Sequence, residues 1–161
     1  MNTQISKTKV SQVTTVAYIV TALMLSTAAV YFIAASQDYV QIFQSVSSQH
    51  GSSKDILADL IGTTNEMIFF IAVGVAYIPV ALWMARTTHH SKIPYVVTII
   101  GSSALIVFYI ATRTINLPNI GLQPDIGSTD IACKVLQGAI IAGSLIVLRR
   151  STRLQIPLTK L

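Results

Sequence analysis

The chain has little charge and almost no sulfur chemistry. Only 11% of its 161 residues are Asp, Glu, Lys or Arg, whereas soluble domains run near a quarter. Cys133 is the single cysteine. No intrachain disulfide can form, no zinc-type cysteine cluster exists, and a lone cysteine among apolar neighbours reads as a small buried hydrophobe. His89 and His90 sit beside Arg86 and Lys92. Adjacent positions on a helix do not face each other, and the basic neighbours would repel a cation. His50 lies near Asp55 and Asp59 but has no second histidine or cysteine to share a copper or zinc ion with. The chain carries no phosphate-binding glycine loop, no Ser/His/Asp set, no HExxH and no row of intramembrane acids suited to a proton relay. Its two halves show no repeat of the kind many transporters have. Catalysis by this chain alone therefore has no residue set to perform it, and no metal or cofactor site is expected in it.

What the sequence does have is apolar residues, 52% of the total, with a mean hydropathy of +0.64. They fall into four long runs, residues 13–35, 67–85, 93–111 and 131–148. A helix needs about 20 mainly apolar residues to cross the ~30 Å hydrocarbon core. Lys134 is the one full charge inside any of the runs. The expected fold is all-α: a single integral membrane domain over residues 1–161, built as a four-helix bundle. One competing reading concerns the first run. Lys7 and Lys9 precede it and Ala34-Ala35-Ser36 end it, which loosely resembles a cleaved signal peptide. The run exceeds the 7–15 residues of a signal-peptide core, so a retained helix is expected.

The net charge of +5 does not point to nucleic acid, whose binders cluster basic residues on one face of a folded domain. Here Lys7, Lys9, Arg86, Lys92, Arg149, Arg150, Arg153 and Lys160 flank the apolar runs on one side. Asp38, Asp55, Asp59, Glu66, Asp125 and Asp130, all six acids, fall on the other. The positive-inside rule then places both termini in the cytoplasm and the acidic loops outside a cell membrane crossed several times.

Both outer loops have a pattern. In residues 37–65, Tyr39, Ile42, Phe43 and Val46 recur at helical spacing, as do Ile56, Leu57, Leu60 and Ile61. They predict helical extensions broken around His50-Gly51-Ser52, whose apolar faces need a cover of headgroups or of another protein. Residues 112–129 are punctuated by Pro118, Gly121, Pro124 and Gly127 as a string of turns. Asp130, or Ser128 before it, is expected to cap the fourth helix.

The most informative constellation lies at the outer helix ends: Glu66 before the second run, Arg113 after the third, and Asp130 with Lys134 opening the fourth. Asp130 and Lys134 share a helix face at i,i+4 spacing. Lys134 has to snorkel outward or meet Asp130 or Glu66. Two readings compete. One is an ion, proton or small-polar-ligand site at the mouth of the bundle. The other is a charge clamp locking loop and helix ends, and it is the stronger because the acids sit at the water interface rather than mid-bilayer. Elsewhere, Pro79 interrupts the second helix and frees the Val75 carbonyl. Gly74 beside it allows close approach of another helix. Gly138 with Ala142, and Ala139 with Gly143, form two small-xxx-small pairs, packing faces within the bundle or toward a partner. Trp83 and Tyr95, with Tyr31 and Tyr109, sit where aromatic belts are expected.

The segment Arg113-Thr114-Ile115-Asn116-Leu117-Pro118, followed by Gly121, Asp125, Gly127 and a helix opening at Asp130, resembles a known element. It is the Arg-Thr-x-x-Leu-Pro stretch leading into the last helix of small four-helix membrane proteins of bacteria and archaea. The longer run through Lys134, Gln137 and Gly138 is similar to small membrane proteins of ammonia-oxidising archaea, where accessory subunits accompany the copper-containing ammonia monooxygenase. The resemblance covers about the last third of the chain. It implies a non-catalytic accessory subunit, with lipid and other integral membrane subunits as partners and copper held by those subunits. The element has no catalytic residues to transfer, and this chain lacks the multi-histidine sets of copper-binding subunits. The alternative from another class is a stand-alone small transporter, channel or sensor using the outer charged cluster.

Overall fold

A computed structural model of the chain describes residues 2–48, 53–87, 91–115 and 127–154. His50, His89, His90, Asp125 and the turn-rich stretch around Pro118 lie outside the described residues. Four helices follow one another: α1 (Asn2–Ser48), α2 (Ser53–Thr87), α3 (Ile93–Thr114) and α4 (Ser128–Leu154). Each contains a stretch long and apolar enough to cross a membrane. At 1.5 Å per residue, the 22 residues of α3 span about 33 Å, close to the hydrocarbon core alone. The other three helices are longer.

The helices run up and down in a square. α1 packs most extensively on α2 and next on α4, α3 packs on α4, and the α2–α3 seam is the thinnest. Diagonal partners meet only through side chains, as where the Thr98 hydroxyl reaches the Met24 sulfur at 3.8 Å. The buried faces show why this order forms. Val13, Ala17, Val20, Met24, Ala28 and Tyr31 of α1 step by three or four residues. So do Tyr77, Ala81 and Met84 of α2, and, once the buried polar residues are counted, Cys133, Gln137, Ile140, Ser144 and Val147 of α4. This spacing carries a seam along facing helices in left-handed bundle packing. In lipid, burying apolar surface gives no preference between faces, so close approach and polar pairing choose the inner one. Accordingly Thr27, Ser102 and Gln137 are buried while Leu25, Ile33, Ile100 and Val107 face outward. The buried threonine hydroxyls return to their own helices, Thr21 to the Ala17 carbonyl and Thr27 to that of Leu23.

Small residues set the tight seams. A Cβ placed on Gly74 would lie 3.2 Å from the Phe32 ring and 3.3 Å from the Ala28 carbonyl oxygen, so α1 and α2 approach closely there. A Cβ on Gly143 would lie 2.5 Å from a Val20 methyl, across the α1–α4 seam. Gly138, by contrast, has nothing within 4 Å of such an atom, and Ala139 and Ala142 are exposed. Of the two expected small-residue pairs, only Gly143 packs inside the bundle. Pro79 lies within the continuous α2 helix, on an exposed position.

One expectation is corrected. Tyr31 and Tyr95 do not form an aromatic belt; both are buried in the core. For Tyr31 the reason is a partner, because its hydroxyl accepts a hydrogen bond from Gln137 on α4 at 2.8 Å. A buried tyrosine with its polar tip satisfied is more stable inside than at an interface. Trp83 is partly exposed, as a belt residue is.

Candidate functional site

Three acids and two cations collect at one end of the bundle, here termed the acidic end. The opposite, basic end carries Arg86, Lys92, Arg149 and Arg150, and there Arg150 donates to the Gln12 side chain at 3.3 Å. At the acidic end a cavity of about 900 Å³ opens among all four helices. It exists because α2 and α3 barely meet. They are joined by the Phe69–Phe108 ring contact, with centroids 5.2 Å apart, and more deeply by a hydrogen bond between the Tyr77 and Ser102 hydroxyls at 3.0 Å. Above that pin the two helices leave a gap.

Each helix contributes through positions one turn apart. α1 brings Tyr31, Ala34 and Asp38, and α2 brings Gly62, Glu66, Phe69 and Phe70. α3 brings Leu105, Phe108, Tyr109 and Arg113, and α4 brings Asp130, Cys133 and Lys134. The floor is polar and hydrogen-bonded across helices. Lys134 Nζ donates to Gln137 Oε1 at 3.2 Å, and Gln137 Nε2 donates to Tyr31 Oη at 2.8 Å. Gln137 is 0% exposed. An amide at that depth is costly unless both its ends are bonded, and here both are. The Tyr31 ring stacks on Tyr77 at 6.3 Å and leans on Phe70 at 5.8 Å, so the floor is also aromatic.

All four residues of the expected charge constellation line this cavity, but they do not form one clamp. Arg113 pairs with Asp130, Nη2 to Oδ2 at 2.6 Å, tying the end of α3 to the start of α4. Asp130 thus directs its carboxylate to Arg113, and α4 opens with the Ile131 amide donating to the Gly127 carbonyl. Lys134 meets neither Asp130 nor Glu66. Its ammonium lies 4.7 Å from the centre of the Tyr109 ring, while the Arg113 guanidinium lies 5.0 Å from the same ring. The physical reason is depth. Lys134 sits one turn below Asp130, beside buried Cys133 and Gln137, where an amide and a π-face are within reach. Glu66 feels Arg113 through space, and also the like charges of Asp38 and Asp130, but has no ion-pair partner among the described residues.

Sequence reasoning missed Asp38, Tyr31, Tyr109 and Gln137 as parts of this site. Asp38 lies two turns above Tyr31 on the same face, and its Oδ2 is shielded from solvent without a hydrogen-bond partner among the described residues. Gln137 carried a readable signal, a full amide inside an apolar run one turn below Lys134. Tyr31 had none apart from its helical register with Asp38.

Cys133 is buried, and the Tyr31 and Tyr77 hydroxyls are hydrogen-bonded to Gln137 and Ser102. Among the described residues no three His, Cys, Asp or Glu side chains come together as a metal site. Comparison of the chain with protein-family models, with curated proteins and with solved structures returns no match.

Proposed function

We propose that this chain is a non-catalytic, multi-pass subunit of a larger membrane assembly, with both termini cytoplasmic and the acidic end outside. The orientation rests on the basic residues at one end and the acids at the other. The observation that carries the subunit reading is a row of large apolar side chains on helix that continues past the charged level. In this reading Asp38, Glu66, Arg113 and Asp130, one from each helix, stand at the outer edge of the hydrocarbon. Beyond Asp38, α1 continues to Ser48, about 15 Å of further helix, while the headgroup region is only about 5–8 Å deep on each side. On that extension Tyr39, Val40, Phe43 and Val46 are exposed, Phe43 to 67%. Leu57 and Ile61 are exposed on the facing start of α2.

Scattered apolar residues on a surface need no explanation, but several on one projecting hairpin form a patch that water does not tolerate. Headgroups reach only its first turn, so a partner protein is the cover. On α4, Gly138 and Ala142 face away from the bundle and offer a partner helix a close approach. The resemblance of the Arg113–Pro118 element to accessory subunits of archaeal ammonia monooxygenase makes that enzyme the proposed parent complex, with copper held by its other subunits. The experiment is extraction in gentle detergent followed by a native gel and mass spectrometry. Co-migration with histidine-rich membrane subunits is expected, and migration as an isolated monomer or homodimer overturns the reading. A second reading, a stand-alone small transporter, channel or sensor, is favoured by the charged cavity and predicts that isolated species.

A further inference from the structure

We infer that the cavity at the acidic end binds a small organic cation, an alkyl- or arylammonium ion, between Asp38, Glu66 and the surrounding aromatic rings. The charge balance comes first. Three carboxylates line the cavity against two cations, and both cations are engaged, Arg113 with Asp130 and Lys134 with Gln137. The charge left over is negative and lies on α1 and α2. Asp38 has an oxygen shielded from solvent with no hydrogen-bond partner, and Glu66 has no ion pair, both among the described residues. Like charges held near each other at the edge of a low-dielectric region are costly until a cation joins them.

The walls say what kind of cation. Phe69, Phe70 and Phe108 line the same space as the two acids, and aromatic faces attract an ammonium and cover its hydrocarbon part. Tyr109 already holds two protein cations at 5.0 and 4.7 Å from its centre, so the ring environment tolerates positive charge. The volume, about 900 Å³, lies in the range of small-molecule sites, roughly 300–1,000 Å³, and far exceeds a bare ion. The carboxylates are not grouped as metal ligands among the described residues. An anion would find Arg113 already paired with Asp130 and only Lys134 left to meet, against both Asp38 and Glu66. The inference is independent of partner docking on the projecting hairpin, and either can fail alone.

The test is calorimetric titration of the full chain in detergent micelles with phenethylammonium chloride, and with sodium phenylacetate as an anion of similar size and shape. Saturable binding of the ammonium and none of the carboxylate is expected. Asp38→Asn and Glu66→Gln should each weaken binding at least roughly ten-fold, with helical circular dichroism unchanged. Absence of saturable ammonium binding up to roughly 10 mM, equal affinity in both variants, or preference for phenylacetate overturns the inference. Because those substitutions touch the fold's own charges, Gly62→Cys provides an independent reading. Gly62 lines the cavity, with nothing within 4 Å of a Cβ placed there. Its thiol should react faster with a trimethylammonium methanethiosulfonate than with the sulfonate analogue, and phenethylammonium should protect it. A faster sulfonate reaction, or no protection, also overturns the inference.

Discussion

The α1–α2 seam and the α2–α3 seam are drawn from equally apolar helices, yet one is closed and the other holds a cavity. At the first, Ala28 and Gly74 let backbones approach until a single added carbon would touch the Phe32 ring at 3.2 Å. At the second, the large rings of Phe69 and Phe108 meet at 5.2 Å and prop the helices apart, with the Tyr77–Ser102 hydrogen bond as a pin below. In a membrane, where hydrophobic burial does not favour one helix contact over another, the size of the side chains at a seam decides how nearly it closes. Small residues give stability here, and large ones give a space with room for a ligand.

The difference can be broken from the closed side. Gly74→Leu should have the largest effect. Its neighbour at 3.3 Å is the Ala28 backbone oxygen, which cannot move aside as a side chain can. A loss of about 3 kcal/mol, at the upper end for overpacked cores, should appear in a denaturing-detergent titration of folded protein. Arg113→Ala comes next. Removing it strands the Asp130 carboxylate and unties α3 from α4, costing about 1.5–3 kcal/mol. A double-mutant cycle with Asp130→Asn measures the coupling; additive effects would show that the 2.6 Å pair contributes nothing.

On the open side, Tyr77→Phe removes the pin between α2 and α3 at a smaller cost, about 0.5–1.5 kcal/mol, read in the same titration. The smallest effects belong to glycines with open space. Gly101→Leu and Gly138→Leu meet nothing within 4 Å of the new Cβ, so intrinsic stability should change by no more than about 0.5 kcal/mol. If Gly138→Leu leaves the isolated chain stable but removes it from its native assembly, the outward face of α4 is a contact surface.

Much of this architecture was readable from the residues, though not evenly. The four spans follow from the apolar runs because length against bilayer thickness is a one-dimensional criterion. That Glu66, Arg113, Asp130 and Lys134 lie at one end of the bundle was also readable, since charges collect where helices leave hydrocarbon. Their pairing was not. Helical spacing offers Lys134 to Asp130, but Asp130 takes Arg113 from another helix, and Lys134 turns inward to Gln137 and Tyr109. Asp38 counted only toward the sidedness of the loops until the fold placed it on the cavity wall beside Glu66. The inner face of each helix was likewise hidden. Leu25 and Met24, or Val107 and Leu105, are equally apolar, yet one of each pair points outward.

The sequence by itself determined how many helices cross and where their charges lie, because the cost of transferring charge and backbone into hydrocarbon depends on composition along the chain. Only the tertiary structure decided which faces meet, which charges pair, and that α2 and α3 part around a cavity of about 900 Å³. Those outcomes depend on distances between side chains of different helices, set by the fit of glycine against ring and ring against ring, which no single segment contains.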